Sequence, residues 1–292
     1  MAPLRFALAL ACVALIGAPR HASAVPATGC GSSLAASIPN RPVGAPTASD
    51  LMRAATSLAG SQRDSVIVEA VLGGNVPQFL RRLVPVTLEG TTRDDRDVRI
   101  TICVTPDYLA VGDDTDFVRT PVGLPAALRI AGALDFMLPT PRMVDAIYAA
   151  ASVRLPPRPM EPTAAMTSTR YFVEHNAEVD RQRTASGQPL GALTAGHKKD
   201  VVLSRRLAKA HGKVAIYGWH RPNGRPIQPL STVHGAQYAD YSHGIRLVAA
   251  TAQVNGVPRP LAEVLADPDL AGIVSGEGPI ERPDRLVAAL GD

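Results

Sequence analysis

Between Gly196 and Val248 the chain reads GHKKDVVL, then KVAIYGWH, then IQPLSTVHGAQYADYSHGIRLV, so each short apolar run is followed or interrupted by costly polar side chains. Runs this short suit strands better than buried helices, which places the histidine-bearing turns at strand ends. Loops at the ends of a rigid sheet are where ligands are bound. Of seven histidines, His21 lies near the N-terminus, and His197, His211, His220, His234 and His243 fall in this segment. The only tryptophan, Trp219, and three of the six tyrosines fall there too. A lone buried imidazole is readily satisfied by its neighbours. Five would each need their own partners, which favours a site over a purely structural network.

Residues 1–24 carry an early Arg5, the apolar run Phe6 to Ile16 and the small-residue ending Ala22-Ser23-Ala24, the layout of a secretory signal peptide. That run is shorter than the roughly 20 apolar residues a spanning helix needs, and no later run approaches that length, so no transmembrane segment is expected. The stretch holds Arg5 and Arg20 and no acid, so without it the formal charge falls from +4 to +2. So small an excess excludes a nucleic-acid partner. Export also bears on the cysteines: Cys12 lies in the leader, and Cys30 and Cys103 are expected to form a disulfide in an oxidising compartment. Lipidation of Cys30, in Ala27-Thr28-Gly29-Cys30, is the alternative.

Beyond the leader, residues 25–48 are rich in Pro, Ser, Gly and Ala without periodicity and read as a flexible arm. Residues 49–155 carry helical patterns near Ser49, over 66–72 and over 124–134, a short helix opened by Pro77, and a β-hairpin formed by 84–88 and 98–104. A further helix follows the cap Thr140 with Pro141 in its first turn; its apolar stripe is core, and Asp145 and Tyr148 receive no catalytic role. The acid-rich loop 112–116 reads as a solvated turn, because it lacks the remaining ligands of a calcium loop.

Proline-rich 155–162 marks the internal boundary. Past it, 168–183 reads as an amphipathic helix whose Glu174, His175 and Glu178 lie on a solvated face. A strand is expected over 245–254, with Asn255-Gly256 as its hairpin turn. The fold class is therefore α+β (or α/β): a helical N-terminal half with a small hairpin, then a His-rich half over 163–276 with a mostly antiparallel C-terminal sheet from about Ala192 onward carrying the site, and 277–292 as a tail.

Three chemistries can be built from the segment. His234, Asp240 and His243 form H-x5-D-x2-H, and two imidazoles with a carboxylate suit zinc with an open coordination position. The spacing resembles the zinc pattern S-x-H-x-x-G-x-A-x-D of D-Ala-D-Ala carboxypeptidase-like peptidases, with Gly and Asp displaced by one or two places. In the second chemistry Ser242 is a nucleophile served across strands by His197, His220 or His234, since adjacent His243 points to the other face of a strand. Asp240 or Asp200 would orient the base, and no G-x-S-x-G elbow is present. The third is metal-free acid–base chemistry or anion binding, with His197, Lys198, Lys199 and Arg246 as cationic or proton-transferring groups and Trp219, Gln228, Tyr238 and Tyr241 contacting the substrate. Alternation lets only one of Lys198 and Lys199 face inward.

His234-Gly235 followed by Ser242-His243-Gly244-Ile245-Arg246-Leu247 resembles the catalytic loop of YkuD-type L,D-transpeptidases, in which HG precedes S-H-G-C-I-R-L/M. The resemblance spans 14 of 292 residues, and no cysteine follows Gly244. Without a thiolate that family's acyl transfer has no attacking group, so none of its roles carries over. The chain as a whole resembles secreted bacterial proteins of an uncharacterised family, which implies export and no particular activity. The sequence thus leads to a hydrolase acting on a cell-envelope or extracellular polymer, or on a small-molecule substrate there, with zinc as the candidate cofactor. In that reading His234, Asp240 and His243 or His220 hold the metal, His197 or Tyr241 stabilises the oxyanion and Arg246 positions a carboxylate. The alternative is a non-enzymatic carbohydrate- or peptidoglycan-binding protein with Trp219 as an exposed platform.

Overall fold

The computed structural model describes residues 29–281, so the expected leader and the end of the tail lie outside the described residues. Helices α1 (Ala48–Ala54) and α2 (Gly60–Leu72) come first, and α2 buries Ile67, Val68 and Val71. The cap of α1 is Thr47, two residues before Ser49, its hydroxyl accepting from Asp50 N–H. Pro77 opens a single 3-10 turn over Gln78–Arg81 rather than a helix.

Strands β1 (Val84–Thr91) and β2 (Asp97–Val104) then pair antiparallel from Val84↔Val104 to Thr91↔Asp97. β1 alternates in burial, with Val86 and Leu88 inward, as a strand with one solvated face should. The C-terminal half of β2 is buried throughout, because its other edge is covered as well. Strands β3 (Ala110–Gly112) and β4 (Phe117–Arg119) form a small hairpin whose turn is the acid-rich loop. There the Asp113 carboxylate accepts from the backbone N–H groups of Thr115 and Asp116. Gly112 has φ 108°, and a Cβ on it would lie 2.1 Å from Asp116 O, so glycine is required.

Next come α3 (Leu124–Ala133), β5 (Phe136–Met137), α4 (Pro141–Ala150), β6 (Val153–Arg154) and α5 (Thr169–Ala185). The expected cap Thr140 accepts from Met143 N–H, and Ser168, expected as the first residue of its helix, is instead the cap and accepts from Tyr171 N–H. The C-terminal region contributes β7 (Thr194–Ala195), β8 (Lys199–Val201), β9 (Ile216–His220), β10 (Pro226–Ser231), β11 (His243–Gly244), β12 (Val248–Ala249), β13 (Thr251–Val254), β14 (Val257–Pro260), α6 (Leu261–Ala266) and α7 (Ala271–Val274). Asn255 and Gly256 both have positive φ, as a two-residue hairpin turn demands. The single strand expected over 245–254 is broken at Ala250, whose N–H turns aside to Asp135 O.

The hairpin β1–β2 is not a small appendage of a helical half. It is the middle of a six-stranded sheet in which β12 and β13 take the free edge of β2, through Val248↔Val104 and Gln253↔Thr101, while β5 and β14 extend it. The segments on either side of the proline-rich stretch thus share one sheet and one apolar core running from Ile38 to Ile280. His220 and His243 sit elsewhere, on a four-stranded sheet ordered β10-β9-β8-β11, with His197 and His234 in the segments that adjoin its strands. It is antiparallel except for β8 and β11, which run parallel with His243 beside Lys199.

Among the described residues no helix is long and apolar enough to cross a membrane. Cys30 and Cys103 are disulfide-bonded, which ties the arm to the central strand β2 and removes Cys30 from the lipidation alternative.

Candidate functional site

The four-stranded sheet separates the predicted residues into three environments. On the face of Lys199, His243 is fully buried, with neither ring nitrogen hydrogen-bonded among the described residues. Leaving a buried polar group unsatisfied costs about 1–3 kcal/mol, so an imidazole held this way needs a reason. It is caged by aromatic rings: His234 stacks on Tyr238 at 4.2 Å between centroids, and the two rings lie 6.2 Å and 5.7 Å from His243. His234 and Tyr238 are half-buried and form the mouth of the cage.

Asp240 anchors the loop below it. One of its oxygens accepts from Tyr238 Oη at 3.1 Å, and the other from Ser242 N–H at 2.8 Å and from the Ser242 hydroxyl. Burial pulls the His243 imidazole down to about 4, with Asp240 opposing the shift, so it is neutral at pH 7. Burial and the charge of Asp240 push the Tyr238 phenol up to about 12, so it stays protonated.

The opposite face is an interior ionic network. Burial opposes ionisation of Asp107, but Arg119 at 2.7 Å and His197 at 3.2 Å outweigh it and hold the carboxyl well below its usual range. Arg119 continues to Asp180 at 2.9 Å on α5. His197 is fully buried, and burial brings it down to about 4. Lys198 is also fully buried: its ammonium donates to Tyr241 O at 2.6 Å and lies 3.1 Å from His175 Nδ1, and burial lowers it to about 7. His175 is therefore an interior residue of α5, although Glu174 beside it is exposed. Arg246 donates to Thr105 O at 2.8 Å and Thr194 O at 2.7 Å, with its guanidinium over the Tyr108 ring. Tyr108 in turn donates to Asp200 at 2.8 Å, a carboxyl that burial raises to about 6.

Several expected roles are corrected by this placement. Arg246 is committed to two backbone carbonyls in the core and cannot position a substrate carboxylate. His197 has its Nε2 on Asp107 and its Nδ1 buried without a partner among the described residues, and the Tyr241 hydroxyl accepts from Met160 N–H at 2.8 Å, so both belong to the interior network rather than to the His243 cage. Lys198 is the inward lysine of the pair and faces His175, not a substrate. Gln228 lies on β10, at the sheet edge opposite His243, and bonds to Pro229 O. Ser242 is held by Asp240 rather than by a histidine, so no serine–histidine pair forms. Trp219 is only 6% exposed and offers no platform.

His220 occupies the third environment, an open cleft of about 440 Å³. Its Nε2 lies 2.8 Å from Asp145, its ring stacks on Tyr148 at 4.5 Å, and Tyr217 donates to the same carboxylate at 3.0 Å. His220 therefore cannot join His234 and His243 on a metal. Among the described residues no group of three or more His, Cys, Asp or Glu side chains is placed to hold a metal ion, and both oxygens of Asp240 are already engaged. The donor set does not fit the expected zinc, and no step is routed through one.

Sequence reasoning missed Asp107, Tyr108, Arg119 and the pairing of Asp145 with His220. Asp107 and Tyr108 lie three and four residues past the end of the buried strand β2, where a carboxylate is costly without partners; that was the available signal. Gly244 carries another: a Cβ there would lie 2.6 Å from the Tyr108 ring, so the Ser-His-Gly stretch is shaped by packing on Tyr108. Comparison with protein-family models, curated proteins and solved structures gives no match, so the functional argument rests on this chain's own residues.

Proposed function

We propose that the chain is a hydrolase acting outside the cytoplasm on a cell-envelope or extracellular polymer, with His243 as its proton-transferring group and without a metal. The observation that carries this reading is the buried His243 imidazole with both ring nitrogens unpartnered beneath the half-buried His234–Tyr238 pair. A neutral imidazole can take a proton from an attacking water and return it to the leaving group. Tyr238, whose hydroxyl is given to Asp240, fixes that carboxylate and the His234 ring over the imidazole, and Lys199 supplies positive charge where negative charge develops. The disulfide supports an oxidising compartment.

The burial of Trp219 weighs against the alternative of a carbohydrate-binding protein built on that ring. The test is release of new reducing ends or amines from purified peptidoglycan and extracellular polysaccharides by the mature protein and by His243→Ala. Release that disappears in the variant supports the reading. Absence of release from every polymer by the wild type overturns it.

A further inference from the structure

Nitrogen donors gather on one face of the four-stranded sheet without a matching acceptor. Parallel pairing puts His243 beside Lys199, and antiparallel pairing puts Lys199 beside Gly218. Paired residues project from the same face, so Lys199 and His243 share one, whereas Lys198 and Asp200 project to the other. Trp219 follows Gly218 with φ 58°, a left-handed backbone that a bulky residue adopts only where its surroundings enforce it. The result is an indole lying against Lys199, whose Nζ is 5.0 Å from the ring centroid.

Among the described residues the indole Nε1–H is buried without a partner, as are both nitrogens of His243, and Lys199 has no carboxylate within ion-pair distance. An indole N–H and an ammonium can only donate, so the missing partner is an acceptor. Asp240, the carboxylate whose charge acts on both His243 and Lys199, cannot be that partner, since its oxygens already receive the hydroxyls of Tyr238 and Ser242 and the Ser242 N–H. Its charge also repels a dianion more than a monoanion.

We propose that this face binds a carboxylate of the substrate, held by Lys199 and the Trp219 indole beside His243, so that the bond cleaved lies next to a carboxylate-bearing unit of the polymer. This rests on the placing of hydrolysis at His243. The carboxylate belongs to a sugar acid or to a peptide unit, and the same donors recognise both.

Because Trp219 is the only tryptophan, its emission reads this face alone. The full-length mature protein is titrated with glucuronate and N-acetylglycine, with glucose and N-acetylglycinamide as uncharged counterparts and inorganic phosphate as the competing anion. Equilibrium dialysis of the labelled carboxylates measures binding directly. The expected result is saturable binding of one or both carboxylates, at least tenfold weaker in Lys199→Met and recovered in Lys199→Arg, with the uncharged counterparts inert and phosphate weaker. Glucuronate binding alone assigns a sugar acid, and N-acetylglycine binding alone a peptide. Lys199 is half-buried, and thermal unfolding of Lys199→Met checks that the fold is kept. Retention of no carboxylate in dialysis, equal retention by Lys199→Met, equal binding of the uncharged counterparts or tighter binding of phosphate overturns the proposal. Hydrolysis of a neutral polymer without carboxylate binding overturns this proposal alone, while carboxylate binding without any hydrolysis leaves the binding face standing and overturns the hydrolase.

Discussion

Asp145 on α4 accepts a hydrogen bond from His220 at the end of β9 at 2.8 Å, joining residues 75 apart and closing one wall of a cleft that does not contain His243. Two histidine sites so placed make different predictions. His220→Ala removes a ring stacked on Tyr148 and is expected to lower stability by about 1–3 kcal/mol. Hydrolysis should stay within threefold of the wild type. A loss above tenfold at unchanged stability would move the chemistry to this cleft; denaturant unfolding and a rate assay on the same preparation decide.

The Asp107–Arg119 pair is almost wholly buried at 2.7 Å, and His197 leans on the same carboxylate. Asp107→Asn leaves Arg119 uncompensated in the interior, and breaking a buried pair from one side costs about 3–5 kcal/mol. Urea unfolding should register that loss, whereas Arg99→Ala, which breaks an exposed pair with Glu89, should fall within about 1 kcal/mol.

Lys198 gives the protein a stability that rises at alkaline pH. In the folded chain burial lowers its ammonium from 10.5 to about 7. Between those values the unfolded chain holds a proton that the folded chain has shed, so stability increases as pH rises through the window, by up to about 1.4 kcal/mol per pH unit. Below about pH 7 both states are protonated and the burden of burying the charge is fully present. Urea unfolding at pH 6, 8 and 9.5 should show the rise in the wild type and a flatter profile in Lys198→Met; parallel profiles would refute it.

The disulfide closes a loop between positions 73 apart. A loop of that length corresponds to about 4 kcal/mol of chain entropy removed from the unfolded state. The Cys30→Ser, Cys103→Ser double variant should lose up to that amount, and thiol reductant should lower the unfolding temperature of the wild type but not of the double variant.

What could be read in advance was local. Thr140 caps its helix, and Asn255-Gly256 turns its hairpin, because a cap or a two-residue turn depends on a few adjacent residues. Partners distant in the chain were hidden: nothing near Val104 signals that Val248 completes the sheet, and nothing near Asp107 signals Arg119 and His197. The site shows the same division. The crowding of histidines marked the segment, but three-dimensional placement divided them, sending His197 to the interior network, His220 to the cleft and His234 with His243 to the cage. Arg246 and Lys198 looked like ligand-binding cations because charge is visible in sequence and burial is not.

The pH dependence of kcat/KM on a cleaved polymer tests the central claim most directly. With His243 brought down to about 4 by burial, the wild-type profile should rise with pH through that value as the imidazole becomes free to accept a proton. His243→Gln should lose that limb and fall by about 10²- to 10⁴-fold while unfolding like the wild type. A His243→Gln enzyme that keeps both the rising limb and a rate within threefold of the wild type would contradict the account.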